Sequence, residues 1–163
     1  MSTHPSPDEH DGSNAPPSAA VLRELALRWN DHPGVQRLGV ALELGDAGAL
    51  KAVVDPIQPH HRGGMGTEAV NGPTIAGVFD LVVGLTGYLH ALGRRVGVAQ
   101  LNIQFLEPLH GRRFVVVGRP RRVGKTLIFI AAEALDEAGT TCARCDGLVS
   151  VSLTKAATGD LAL

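Results

Sequence analysis

Residues 68–93, EAVNGPTIAGVFDLVVGLTGYLHALG, decide how this chain folds. From Pro73 to Leu89 the run is almost all apolar, as in a helix buried nearly all round rather than along one stripe. Near its middle stands Asp80, with no Lys or Arg within a helical turn to neutralise it. An unpaired charge in apolar surroundings is costly, so this carboxylate must be paired, protonated or facing a wet cleft. The residues sharing its face are Ala76, Gly77, Val83, Gly84 and Gly87, mostly small, whereas Ile75, Phe79, Val82, Leu85 and Leu89 lie mainly round the other side and suit a sheet. Asp80 therefore looks over a helix face kept low, where a ligand or another backbone can come close. The plainer alternative is a helix–helix contact through small residues, with Asp80 bonded to a partner backbone.

The start of the helix adds a second observation. Asn71 is a good N-cap, and Pro73 suits the first turn, where its missing N–H costs little. Gly72 leaves room for a group to approach its own N–H at the positive end of the helix dipole. This is the geometry of an oxyanion hole, and equally of an ordinary capped helix. Gly72 and Asp80 are eight residues apart, or about 12 Å along one helix. A reacting carbonyl has to lie about 3 Å from both its oxyanion donor and its nucleophile or base. One helix cannot do that. A catalytic pair needs two antiparallel helices, Gly72 of one chain meeting Asp80 of the other, which gives a two-fold dimer two such sites.

Working outward, 163 residues suit one domain, and 44% hydrophobic with 19% charged residues is a globular composition. The first eighteen residues hold three acidic side chains and no Lys or Arg; they are rich in Pro, Ser, Asp and Asn and read as a disordered tail. The formal net charge is −1, so the remainder carries only +2. That is too little for a nucleic-acid binder. The N-terminus has no basic start followed by an apolar run, which makes the cytoplasm the expected location. Asp80 and the glycines at 77, 84 and 87 argue against a membrane span, and a buried central helix is the better reading.

Before that helix, residues 18–34 give a short amphipathic helix that stops at Pro33-Gly34, followed by two strands around the turn GDAG that end at Pro56. Residues 57–70 form a loop. After the helix come four strand-like runs, 96 to 107, 112 to 121, 126 to 136 and 140 to 153, with breaks short enough for antiparallel hairpins. Cys142 and Cys145 fall on the last run. Side chains three apart on a strand face opposite sides, so Cys142 is expected outward and Cys145 inward, with no disulfide or shared metal. The order of elements predicts an α+β domain over 19–155, with a curved antiparallel sheet of about six strands wrapped round one long helix and a tail at 156–163.

The motif VNGPTIAGVFD resembles the central-helix motif of the hotdog-fold thioesterases, in the PaaI-like and 4-hydroxybenzoyl-CoA thioesterase group. The likeness covers roughly residues 36 to 153 and includes VAQLNIQFLEPLHG and RVGKTLIFIAAEALDEAG. It implies that Gly72 polarises a thioester carbonyl through its N–H, that Asp80 activates water or attacks directly, and that the site forms across a dimer. Asn71 stands where the family usually has His, Pro73 where it has a second Gly, and Gly84 and Met65 where it often has polar residues. On this likeness Asn71, Met65 and Gly84 line the cleft, and His61, beside His60 in the loop before the motif, is a further candidate by position. The same likeness implies that the hairpin turn carrying Arg119, Arg121, Arg122, Gly124 and Lys125 meets the phosphates of coenzyme A; a solvated charged face is the plainer alternative.

The expected function is hydrolysis of an acyl- or aryl-CoA thioester by a homodimer or homotetramer, with no metal or other cofactor and no nucleic-acid or membrane partner. Two alternatives stand beside it. One is a non-catalytic acyl-CoA binding protein of the same fold, since positions 65 and 84 carry no polar group. The other is a hotdog dehydratase, which needs a histidine beside the acid, with His60 and His61 as candidates.

Overall fold

A computed structural model describes residues 18–45, 49–63, 67–92 and 94–155. Both expected tails, apart from Ser18, lie outside the described residues, as does Met65.

The long helix forms as expected. It is α3, Gly72–His90, preceded by α1, Ala19–Asn30, and α2, Pro33–Arg37. Six strands, β1 Ala41–Leu44, β2 Leu50–Val54, β3 Arg94–Phe105, β4 Phe114–Val123, β5 Leu127–Leu135 and β6 Thr141–Lys155, form one sheet in the order β1-β2-β4-β5-β6-β3. All neighbours are antiparallel. The four runs after the helix are the four strands the sequence predicts.

α3 packs on β2, β3, β4, β5 and β6, so the sheet has to curl about a single helix. Val78, Phe79, Val82 and Val83 are fully buried beneath it, and burying each such side chain is worth about 1.5–3 kcal/mol. Three glycines let the layers approach. A Cβ on Gly118 of β4 would lie 2.5 Å from Val82, one on Gly147 of β6 2.5 Å from Val83, and one on Gly87 of α3 2.6 Å from Val149. Val83 and Gly87, expected on the face of Asp80, therefore belong to the sheet side. The low face that remains is Pro73, Ala76, Gly77, Asp80 and Gly84, none of them buried. α3 has the length and mean hydropathy of a membrane-spanning helix, but eight of its residues are buried within the fold, most of them against its own sheet.

Two further expectations need correction. α1 ends before Pro33, but Pro33 does not merely stop it: Pro33 opens α2, with the ring Nδ1 of His32 accepting the Gly34 N–H at 3.1 Å as an N-cap. On β6 both cysteines are buried and free. The register against β5 slips between Ala134 and Leu135, whose partners are Ala143 and Thr141. Cys142 is the extra residue of this bulge, which turns it inward and breaks the strict alternation that was to send it out.

The two sheet edges differ. β1 has four residues, and the Asn30 side chain at the end of α1 bonds both the N–H and the C=O of Leu42, at 2.7 and 3.1 Å. β3 has twelve residues, none of them buried, at the other edge.

Candidate active site

The first turn of α3 accounts for its own donors. A helix start leaves four N–H groups without intrahelical partners. Here the Asn71 N–H donates to the His61 carbonyl at 2.9 Å. The Thr74 N–H donates to Asn71 Oδ1 at 2.8 Å. Pro73 has no N–H at all. The fourth, the Gly72 N–H, meets no acceptor among the described residues. Sequence and fold together leave one open donor at the positive end of a nineteen-residue helix.

Asn71 is fully engaged in holding that end. Its Nδ2 donates to the carbonyls of His60 and Arg62 at 3.2 and 3.3 Å. It is a clamp between the preceding loop and the helix, in addition to the cap expected of it.

His61 does not line a cleft as expected. It is 1% exposed. Its Nδ1 accepts the Gln58 N–H at 3.0 Å, which puts the ring proton on Nε2, 3.1 Å from the Leu38 carbonyl it donates to. Burial, then the charge of neighbouring His60, lowers its pKa. Both nitrogens serve the scaffold, and neither is left for a dehydratase.

Asp80 is exposed on the single chain, with no partner among the described residues, so nothing within one chain desolvates it. It lies within electrostatic reach of Cys145 on β6. Burial pushes that thiol up to about 11, against a bond to the Asn102 backbone, and the charges of Asp146 and Asp80 add to the rise.

The low face of α3 runs beside β3. A Cβ on Gly72 would lie 3.6 Å from Phe105 at the end of β3, and one on Gly84 3.3 Å from Val98 near its start. The open donor, the carboxylate and the uncovered sheet edge therefore share one side of the molecule. Phe105 belongs to none of the motifs read from the sequence, and it is exposed at the end of β3. Its place next to the break at Glu107-Pro108 was the available signal.

The cationic hairpin sits at the far end of α3. Arg94, just past the helix, donates to the Lys125 carbonyl at 2.6 Å, and the Gly124 N–H closes the turn on the Leu127 carbonyl at 2.9 Å. Arg121 pairs with Asp146 at 3.7 Å, both side chains largely exposed. Within one chain the structure does not bring Arg121, Arg122 and Lys125 to Gly72.

Comparison with known proteins bears on this arrangement. Residues 68–143 match the thioesterase superfamily. The matched segment holds Asn71, Gly72, Asp80, Phe105 and the hairpin, so the resemblance read from the motif stands. A Shewanella oneidensis protein related to that superfamily has a similar structure, with a TM-score of 0.72 and 23% identity over 82% of this chain and 97% of its own. The E. coli PaaI protein from the phenylacetic acid degradation operon follows at 0.70 and 15%, covering 82% and 98%. A Haemophilus influenzae thioesterase gives 0.67 and 16%, covering 77% and 86%. These likenesses establish the hotdog fold, an antiparallel sheet wrapped on one helix. No curated protein matches the sequence.

Proposed function

We propose that the protein hydrolyses an acyl-CoA thioester to the free acid and coenzyme A, at sites formed between two copies of the chain. The observation that carries this reading is the Gly72 N–H, open among the described residues, on a helix whose exposed Asp80 meets no partner among them, within a segment that matches the thioesterase superfamily.

In this reading the thioester carbonyl oxygen accepts the Gly72 N–H, and the helix end stabilises the negative charge that grows on that oxygen as the tetrahedral centre forms. Asp80 of the opposite chain takes a proton from the attacking water. Alternatively it attacks the carbonyl itself, giving an anhydride that water then opens. By either route the C–S bond breaks and the coenzyme A thiolate leaves to be protonated. No metal or redox group enters these steps.

The pairing is supported by the edges of the sheet. β1 is short and held by Asn30, whereas β3 is a twelve-residue edge strand with no strand on its outer side among the described residues, the kind of edge that pairs with another chain. Two β3 edges joined about a two-fold axis set two α3 helices antiparallel with their low faces together. The same operation carries the hairpin of one chain toward the Gly72 end of the other. There Arg121, Arg122 and Lys125 meet the phosphates of coenzyme A.

One observation favours the second reading, a binding protein without turnover: Gly84, one turn past Asp80, supplies no side chain to position a water. Thiol release from a panel of aryl- and fatty-acyl-CoAs decides between them. Asp80→Asn is expected to lose at least about a hundredfold in rate while keeping its stability, because the wild-type carboxylate is exposed. Tight binding with no thiol released by the wild type would select the binding reading instead.

A further inference from the structure

We propose that Phe105 is the wall of the acyl pocket, the side chain that selects the group attached to the thioester carbonyl; this rests on the thioester hydrolase reading. The ring edge lies against Gly72: a Cβ placed on that glycine would be 3.6 Å from Phe105 Cζ and 3.9 Å from Cε1. Phe105 is nonetheless 57% exposed, and Leu106 beside it 47%. Most of a phenyl ring in water next to an unsatisfied N–H is the pairing that a carbonyl bearing an apolar group would satisfy on both counts.

The ring is held in register with the donor. Beyond Phe105 the N–H groups of Leu106 and Glu107 both donate to the Cys142 carbonyl, at 2.9 and 3.0 Å. Further along the same segment, the Leu109 carbonyl accepts the Val70 N–H at 2.9 Å, one residue before the cap. The end of β3 and the start of α3 are thus tied together by backbone. An oxygen bound about 2.9 Å from the Gly72 nitrogen brings the acyl substituent alongside the Phe105 ring rather than into open solvent. An apolar acyl group gains contact there, and a methyl group reaches little of it.

The test is calorimetric binding of two CoA thioethers that cannot be hydrolysed, phenacyl-CoA and acetonyl-CoA, with free coenzyme A as reference. Wild type is expected to prefer phenacyl- over acetonyl-CoA by about tenfold or more. Phe105→Ala should reduce that preference to within about twofold, leave the affinity for coenzyme A unchanged, and remain a dimer by sedimentation. Phe105→Leu, which keeps apolar bulk, should fall between and serves if the alanine variant does not fold. The proposal is overturned if either folded variant keeps the full preference, if coenzyme A weakens in parallel, or if the variant dissociates, which would make Phe105 a contact between chains. If wild type binds neither thioether better than coenzyme A, the thioester reading falls and Phe105 with it. A wild-type preference that survives Phe105→Ala removes Phe105 alone.

Discussion

The carbonyl of His61 accepts the N–H of Asn71 at 2.9 Å, so the residue that caps α3 hangs from a buried histidine whose own ring is fixed to Gln58 and Leu38. The open donor of Gly72 is placed by this chain of backbone contacts, and no catalytic side chain takes part in it.

That chain is sensitive to acid. The folded protein keeps His61 neutral, with a pKa below the ordinary 6.5, through burial and then the charge of His60. Protonating Nδ1 would also set a proton against the Gln58 N–H. The unfolded chain therefore binds the proton first. The contribution to stability is fully present above pH 6.5 and is lost as pH falls from there to the lowered folded value. His90, lowered by burial, adds in the same direction. Urea unfolding from pH 8 to pH 5 should show this decline. His61→Ala is expected to cost about 2–4 kcal/mol at pH 8, from the cavity and two unsatisfied backbone groups, and to decline less steeply.

Asn71 carries three hydrogen bonds through its side chain, one to the helix and two to the loop. Asn71→Ala is expected to destabilise by about 1–2 kcal/mol. Asn71→Ser should recover the cap but not the loop bonds. If α3 is held only by its cap, the serine variant will match wild type in denaturant midpoint. If the clamp also matters, it will fall between.

The shared site makes an arithmetical demand. Gly72→Ala keeps a helix-compatible backbone, and its methyl meets Phe105 at ordinary contact distance, so it should fold normally. Its thiol-release rate is expected to fall about tenfold or more because the methyl crowds the donor. Asp80→Asn should lose more, at least about a hundredfold. Mixed after unfolding and refolding, equal amounts of the two variants form mixed dimers in which one site of two is intact. About a quarter of wild-type activity should return. No recovery would mean that Gly72 and Asp80 of the same chain act together.

Much of this was legible in the sequence because it rests on short-range chemistry. Asn71 and Pro73 mark the start of α3, the apolar run marks its burial, and alternation marks β3 to β6. One error is local, Pro33 read as a stop where it opens α2 behind the His32 cap; the others are tertiary. Val83 and Gly87 share a helical face with Asp80 in projection, but the curled sheet reaches far enough round α3 to cover both. Cys142 turned inward at a bulge that no local pattern announces. His61, in a loop of glycines and prolines, looked available for chemistry because its acceptor at Leu38 is twenty-three residues away. Phe105 gains meaning only when the end of β3 is laid against Gly72.

Pro73 has a consequence for what the helix start can hold. By deleting one donor beside a capped one, it leaves a binding valence of one. A thioester presents a single oxygen and is satisfied by that. The carboxylate formed on hydrolysis has two oxygens sharing the charge, and a phosphate has three, so both would leave acceptors unmatched here. The helix end still attracts that charge, so in the proposed site it is the Asp80 carboxylate of the opposite chain that repels the acid once it forms, and Asp80→Asn should hold the product acid more tightly than wild type.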